Sequence, residues 1–250
     1  MDQVNWGMIG CGNVTEIKSG PAFYKSENSS LIAVMCRHID SARNYAIRHN
    51  IPYYYDDADQ IINNPLINAV YIATPVKFHA PYAIQAMKAG KAVYLEKPMA
   101  LNYKQCLDLK EVSDKTRSKL FVAYYRRSLD YFLKVKELIE ENQIGDITDV
   151  SLALHNPARQ EDSNANKLPW RVLPELSGGG YFYDLACHQI DIMQYLLGQI
   201  TIAEGYVENI AGLYPAEDTV HANWIFESGV KGTGNWSFIC NEKDKQDKII

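Results

Sequence analysis

The sequence predicts an α/β protein, a doubly wound parallel sheet followed by an α+β region of antiparallel character. Three observations carry that prediction. Short apolar runs alternate with helical segments as far as residue 124, the first run opens into a glycine turn, and the alternation gives way to strand and hairpin patterns beyond Tyr125.

Taken in order, Val4 to Ile9 reads as a first strand, followed by Gly10-Cys11-Gly12-Asn13-Val14-Thr15 and a helix beginning near Glu16. Strand, glycine turn, then helix is the order a dinucleotide fingerprint requires, with amides at the helix start facing a pyrophosphate. Thr15 stands where a third glycine or alanine is usual. That position serves helix–strand packing, so the two glycines nearest the phosphates remain.

Leu31 to Met35 is the next strand. An acidic residue at its end would take the ribose hydroxyls of NAD, but the chain reads Cys36-Arg37-His38, and cationic donors suit a 2′-phosphate. The lean is therefore to NADP, with Asp40 still available to NAD. Helices are expected from Ser41 to Asn50, from Asp57 or Asp59 to Asn63, from His79 to Lys88 and from Asn102 to Ser118; strands are expected at 69–74, 92–95 and 120–124. This alternation gives right-handed crossovers in a parallel sheet.

The second region, 125–250, is predicted to carry a helix from Leu129 to Glu141 and a strand from Asp149 to Leu154. A polar loop from Asn156 to Leu168 follows, then a helix after Gly178-Gly179-Gly180 and a hairpin pairing 219–226 with 232–239. On that helix Asp184, His188 and Asp191 fall on one side.

Composition narrows the function classes. A chain of 250 residues, 47% hydrophobic and 22% charged, is ordinary globular material. A net charge of −5 with dispersed Lys and Arg argues against nucleic acid. No uncharged apolar run approaches about 18 residues and no secretory signal opens the chain, so a cytoplasmic protein without a membrane partner is expected. The five cysteines form no Cys-x-x-Cys pair and are expected to be reduced.

Glu96-Lys97-Pro98 closes the apolar run Ala92 to Leu95. Chemistry in open α/β sheets gathers beyond the carboxyl ends of the strands, and Pro98 restricts the backbone of Lys97. A solvated Lys-Pro turn would read the same way, so the tripeptide needs its context.

The glycine turn, Thr74-Pro75 with His79, Glu96-Lys97-Pro98, Trp170-Arg171, the three glycines and Asp184-x-x-x-His188-x-x-Asp191 occur in an order that resembles the Gfo/Idh/MocA oxidoreductases. The resemblance covers the whole chain. It implies a Rossmann domain over 1–124 that binds NAD(P) through Gly10, Gly12, Asn13, Val14, Arg37, His38, Thr74, Pro75, His79, Glu96 and Lys97. It further implies a substrate and dimerisation domain over 125–250, built on a large open, mostly antiparallel sheet, so that a homodimer or homotetramer through that sheet is expected. Lys97 would line the nicotinamide pocket, commonly through a cis peptide, with Asp184 and His188 completing the catalytic group. Two departures stand out: Val76 replaces a common Asn after Thr-Pro, and the chain stops at Ile250, so the sheet is expected to lack its last strands.

Hydride transfer to or from an alcohol carbon needs a proton acceptor or donor and a cation beside the developing alkoxide. His188 suits the first role and Lys97 the second, with Asp184 orienting the imidazole or binding a hydroxyl. Tyr125, Arg127, Trp170 and Arg171 are candidate substrate residues, since aromatic faces and guanidinium groups suit a polyhydroxylated ring; packing and ion pairs explain them equally. No metal site is expected. The expected activity is oxidoreduction of a sugar, cyclitol or related small molecule; a non-catalytic nucleotide sensor is the alternative, which would not require the three catalytic candidates.

Overall fold

A computed structural model describes residues 3–250. The chain divides into two compact units, Met1–Ala123 and Tyr124–Ile250.

The first unit runs β1 (Val4–Ile9), α1 (Asn13–Ile17), α2 (Ala22–Lys25), β2 (Ser29–Met35), α3 (Ile39–His49), β3 (Tyr53–Tyr55), α4 (Ala58–Ile62) and β4 (Ala69–Ile72). It continues with α5 (His79–Lys88), β5 (Ala92–Leu95), α6 (Tyr103–Thr116) and β6 (Leu120–Val122). All six strands are parallel, in the order β3-β2-β1-β4-β5-β6. Alternation along the strands supplies two apolar faces. Met8, Val34 and Tyr71 meet Phe23 of α2 and Tyr45 of α3 on one side. Ile9, Ala33, Val70 and Leu95 meet Ile61 of α4, Met87 of α5 and Leu109 of α6 on the other. The sheet is doubly wound because neither face can remain wet.

Helix starts follow side-chain chemistry. Asp57 caps α4 by accepting from the Asp59 amide, and Asn102 caps α6 by accepting from the Gln105 amide. The helix after the glycine turn differs from expectation: it begins at Asn13 rather than near Glu16 and ends after Ile17, because Ser19-Gly20-Pro21 turns the chain into α2. The strands expected to reach 74 and 124 stop at Ile72 and Val122.

The second unit contains a 3-10 turn at Tyr125–Ser128, α7 (Asp130–Glu140), β7 (Asp149–His155), α8 (Pro174–Ser177) and α9 (Tyr181–Leu197). They are followed by β8 (Ile200–Glu208), β9 (Thr219–Phe226), β10 (Lys231–Ser237) and β11 (Gln246–Ile249). The five strands form one sheet, β11-β7-β10-β9-β8, in which β7 and β10 are parallel and the other pairs antiparallel. One face carries Leu152, Leu154, Trp224 and Trp236, which pack with Ala186, Ile192 and Met193 of α9. Burying a large apolar side chain of this kind stabilises the unit by roughly 1.5–3 kcal/mol. Among the described residues, no helix is long and apolar enough to cross a membrane.

Candidate active site

Parallel register determines what gathers at the edge of the first sheet. Ile9, Ile72 and Leu95 are in register on adjacent strands, and Ile9 also pairs with Met35. Gly10, Ala73 and Glu96 extend the ladder by one bond each, their amides donating to Met35, Ile9 and Ile72. The segments that emerge from β2, β1, β4 and β5 therefore lie side by side: Cys36-Arg37-His38, Gly10 to Val14, Thr74-Pro75 and Glu96-Lys97. Adjacent strands are about 4.8 Å apart, so this row spans roughly 14 Å of the sheet's carboxyl edge.

Two glycines shape the middle of that row. Gly10 has φ +104°, and a Cβ there would stand 2.7 Å from the Ala73 carbonyl oxygen. At Gly12 a Cβ would meet nothing within 4 Å, leaving open space over the backbone that leads into α1. Thr15 is fully buried; its hydroxyl donates to the Gly12 carbonyl at 2.8 Å, and its own carbonyl accepts from Tyr45 at 2.8 Å. The threonine thus ties α1 to α3. Thr74 Oγ1, farther along the edge, is buried without a hydrogen-bond partner. An open cradle and an unused hydroxyl at one sheet edge fit a dinucleotide with a polar head group.

Arg37 and His38 are exposed at the end of β2, and His38 precedes α3, whose first turn contains Asp40. The Cys11 thiol donates to the Met35 carbonyl at 3.5 Å, and the neighbouring Cys36 thiol, with burial, pushes it far up while Cys36 itself is drawn down.

Around Lys97 the backbone is fixed from two directions. His79 is 1% exposed, with Nδ1 2.9 Å from the Pro98 carbonyl oxygen and Nε2 2.9 Å from that of Thr74. The ring therefore sits between two backbone segments; burial lowers its pKa below 6.5, and the neutral imidazole has one N–H to donate to one of the two carbonyls. The Lys97-Pro98 peptide is cis. Glu96 Oε2 accepts from the Lys97 amide at 3.3 Å, while Oε1 accepts from Tyr71 at 2.6 Å; the Tyr71 hydroxyl is also 2.7 Å from Ser19 Oγ. Burial, then the Glu96 charge, pushes the Tyr71 hydroxyl far above its ordinary range, so it remains a donor.

In the second unit α9 carries Asp184, His188 and Asp191 along one side. Arg171 Nε donates to Asp184 Oδ2 at 3.1 Å, and its guanidinium stacks 4.6 Å from the Trp170 ring. Arg127 grips Asp191 with two bonds, at 2.9 and 2.5 Å. His188 is 8% exposed, and the Tyr125 ring meets it edge-on with centroids 5.2 Å apart. The structure thus brings Tyr125 to His188 and engages both candidate arginines with carboxylates of α9. A cavity of about 390 Å³ opens beside His188 and is also lined by Arg126, Asn156, Leu185, Lys245 and Asp247. Sequence reasoning missed these companions. Arg126 is adjacent to the chosen Arg127 and carries the same formal charge, whereas Lys245 and Asp247 sit in a polar stretch whose strand character was not visible. Among the described residues, no group of three or more His, Cys, Asp or Glu could hold a metal ion.

A Rossmann sheet with an open glycine cradle, followed by a helix on a mixed sheet, has the make-up of a dinucleotide-binding protein with a second, α+β unit. Residues 4–124 match the oxidoreductase family with an NAD-binding Rossmann fold, and residues 132–250 match the GFO/IDH/MocA C-terminal domain. Oxidoreductase P35 of Formosa agariphila is 44% identical over 250 residues, 99% of this chain and 76% of that protein. The chain belongs to the Gfo/Idh/MocA oxidoreductases. Inositol 2-dehydrogenase of Rhizobium meliloti is 26% identical over 78% of this chain and 56% of its own length. The chain spans little more than half the length of several such curated relatives. The WlbA dehydrogenase from Chromobactrium violaceum, solved with NADH and UDP-GlcNAcA, shares the fold with a TM-score of 0.89 at 23% identity, covering 100% of this chain and 71% of that one.

Proposed function

We propose that the chain carries out NAD(P)-dependent oxidoreduction of a sugar, cyclitol or related hydroxy or carbonyl compound. Residues 1–124 bind the dinucleotide and 125–250 bind the substrate. The observation that carries this reading is the row at the carboxyl edge of the first sheet. Arg37, the Gly10–Gly12 cradle, Thr74 and Lys97 follow one another there in the order in which an extended dinucleotide presents its ribose, its pyrophosphate and its nicotinamide.

Bound NAD(P) supplies an acceptor or donor of hydride. The protein supplies the rest. Gly12, Asn13 and Val14 present backbone to the pyrophosphate, and Arg37 with His38 meets a 2′-phosphate, which favours NADP. Thr74, Pro75 and Glu96 shape the nicotinamide end, and His79 contributes by its position between the Thr74 and Pro98 carbonyls. The Lys97 ammonium stabilises the developing alkoxide, and His188 takes or returns the hydroxyl proton. Asp184 orients the imidazole or binds a substrate hydroxyl, and Tyr125, Trp170, Arg127 and Arg171 frame the pocket directly or through their carboxylate partners. Inositol and dihydrodiol dehydrogenases among the relatives support a polyhydroxylated substrate. Exposed Ile202, Tyr206 and Val207 on β8 support self-association through the second sheet.

Titration of the purified protein with NADPH and with NADH, followed by nicotinamide fluorescence, tests the reading when a panel of sugars and inositols is then added. Tighter NADPH binding and turnover of a panel member are expected. Absence of binding by both nucleotides contradicts it.

A further inference from the structure

We propose that the substrate bears an anionic group, a carboxylate or a phosphate, and that Arg126 with Lys245 selects it in the cavity beside His188. The inference rests on the oxidoreductase reading and narrows its substrate class.

The cavity lies wholly within the second unit, and its volume of about 390 Å³ falls in the range of small-molecule sites. Leu154 and Leu185 form apolar wall, while Arg126, Lys245 and Asp247 bring two positive charges and one negative. Asp247 is already served: its Oδ1 accepts from Gln189 Nε2 at 2.9 Å, and Gln189 Oε1 accepts from Trp236 Nε1 at 2.7 Å. Both ends of that buried amide are used, so the aspartate is held by the wall.

The cations differ. Arg127 spends its guanidinium on Asp191, but its neighbour Arg126, half-buried and lining the cavity, enters no ion pair among the described residues. The Lys245 ammonium has only a distant carboxylate, Glu242 at 3.9 Å. The turn at Tyr125–Ser128 therefore divides two adjacent arginines between scaffold and cavity. A planar guanidinium that lines a hollow and has no carboxylate within ion-pair distance is a recognition group for carboxylate or phosphate, which it binds with paired N–H donors. His188 shares the same hollow, so an anion held at Arg126 leaves the hydroxyl-bearing carbons of the same molecule for the imidazole. Sugar acids and sugar phosphates have that arrangement; neutral sugars and inositols do not.

The test is calorimetric titration of the NADH-saturated protein with a panel of hexuronates, a panel of hexose phosphates, and glucose. The variants are Arg126→Gln, Arg126→Lys and Lys245→Gln. At least one acid is expected to bind 10-fold or more tighter than glucose. Arg126→Gln should cut that preference roughly 10- to 100-fold, with Arg126→Lys restoring part of it. The panel that binds identifies the anion. Equal affinity for acids and glucose, no binding by any acid, or a preference retained in both Arg126→Gln and Lys245→Gln overturns the proposal. Nicotinamide turnover read in parallel separates the two readings. Charge-selective binding without turnover contradicts the oxidoreductase reading and leaves the anion site; turnover of neutral sugars without acid preference does the reverse.

Discussion

The Tyr71 hydroxyl donates to Glu96 Oε1 across 2.6 Å, and Glu96 Oε2 in turn accepts from the Lys97 amide. A buried tyrosine of the central sheet thus holds the carboxylate that precedes the proposed catalytic lysine. Tyr71→Phe keeps the packing and removes only the donor. It is expected to lower turnover roughly 10-fold and stability by about 1 kcal/mol, while NADH affinity changes less than about 3-fold. Steady-state kinetics beside a fluorescence titration checks this; a loss confined to nucleotide affinity contradicts it.

His79 acts from inside the fold. Replacing it with Leu removes the ring N–H that one of the Thr74 and Pro98 carbonyls accepts, so a loss of about 2 kcal/mol is expected in urea unfolding. The pH dependence has a definite sign. Burial lowers the folded pKa below 6.5, so the unfolded chain binds a proton that the folded chain resists, and stability falls as pH drops below 6.5. His79→Leu should lose that part of the slope. An unchanged slope would mean that other groups produce it.

Arg37 is exposed, so its reversal should spare the fold. Arg37→Glu is expected to weaken NADPH binding roughly 100-fold and NADH binding far less, since only NADPH carries the 2′-phosphate. Equal effects on both nucleotides would remove Arg37 from the 2′-phosphate site.

Arg127 and Asp191 test scaffold against substrate contact. Asp191 is 8% exposed, and Arg127→Leu would leave its carboxylate buried without this partner, at a cost of about 3 kcal/mol. The double variant with Asp191→Leu should recover much of that. Thermal unfolding of the three variants decides; a stable Arg127→Leu protein with weakened substrate binding would contradict the scaffold role.

Much of this organisation was legible in the chain. β1, β5, β9 and α5 coincide with their apolar periodicity because each places a regular face in a core. β8 was invisible because it is exposed nearly throughout, and β11 because Gln246-Asp247-Lys248 carries no apolar alternation. β3 is three tyrosines, two of them exposed, at the sheet's edge. The candidate residues could be named from motif order, but their partners could not. Tyr71 stands 25 positions from Glu96 and 52 from Ser19, and only the folded sheet makes them neighbours. The division between Arg126 and Arg127 likewise arises from a turn, since composition gives both the same charge.

The central claim is that Lys97 serves the chemical step. Single-turnover reduction or oxidation of nicotinamide, compared between the wild type and Lys97→Met at matched nucleotide saturation, tests it most directly. A fall of roughly 100-fold or more in the rate with nucleotide affinity nearly retained is the result expected. An undiminished rate in Lys97→Met would contradict the assignment.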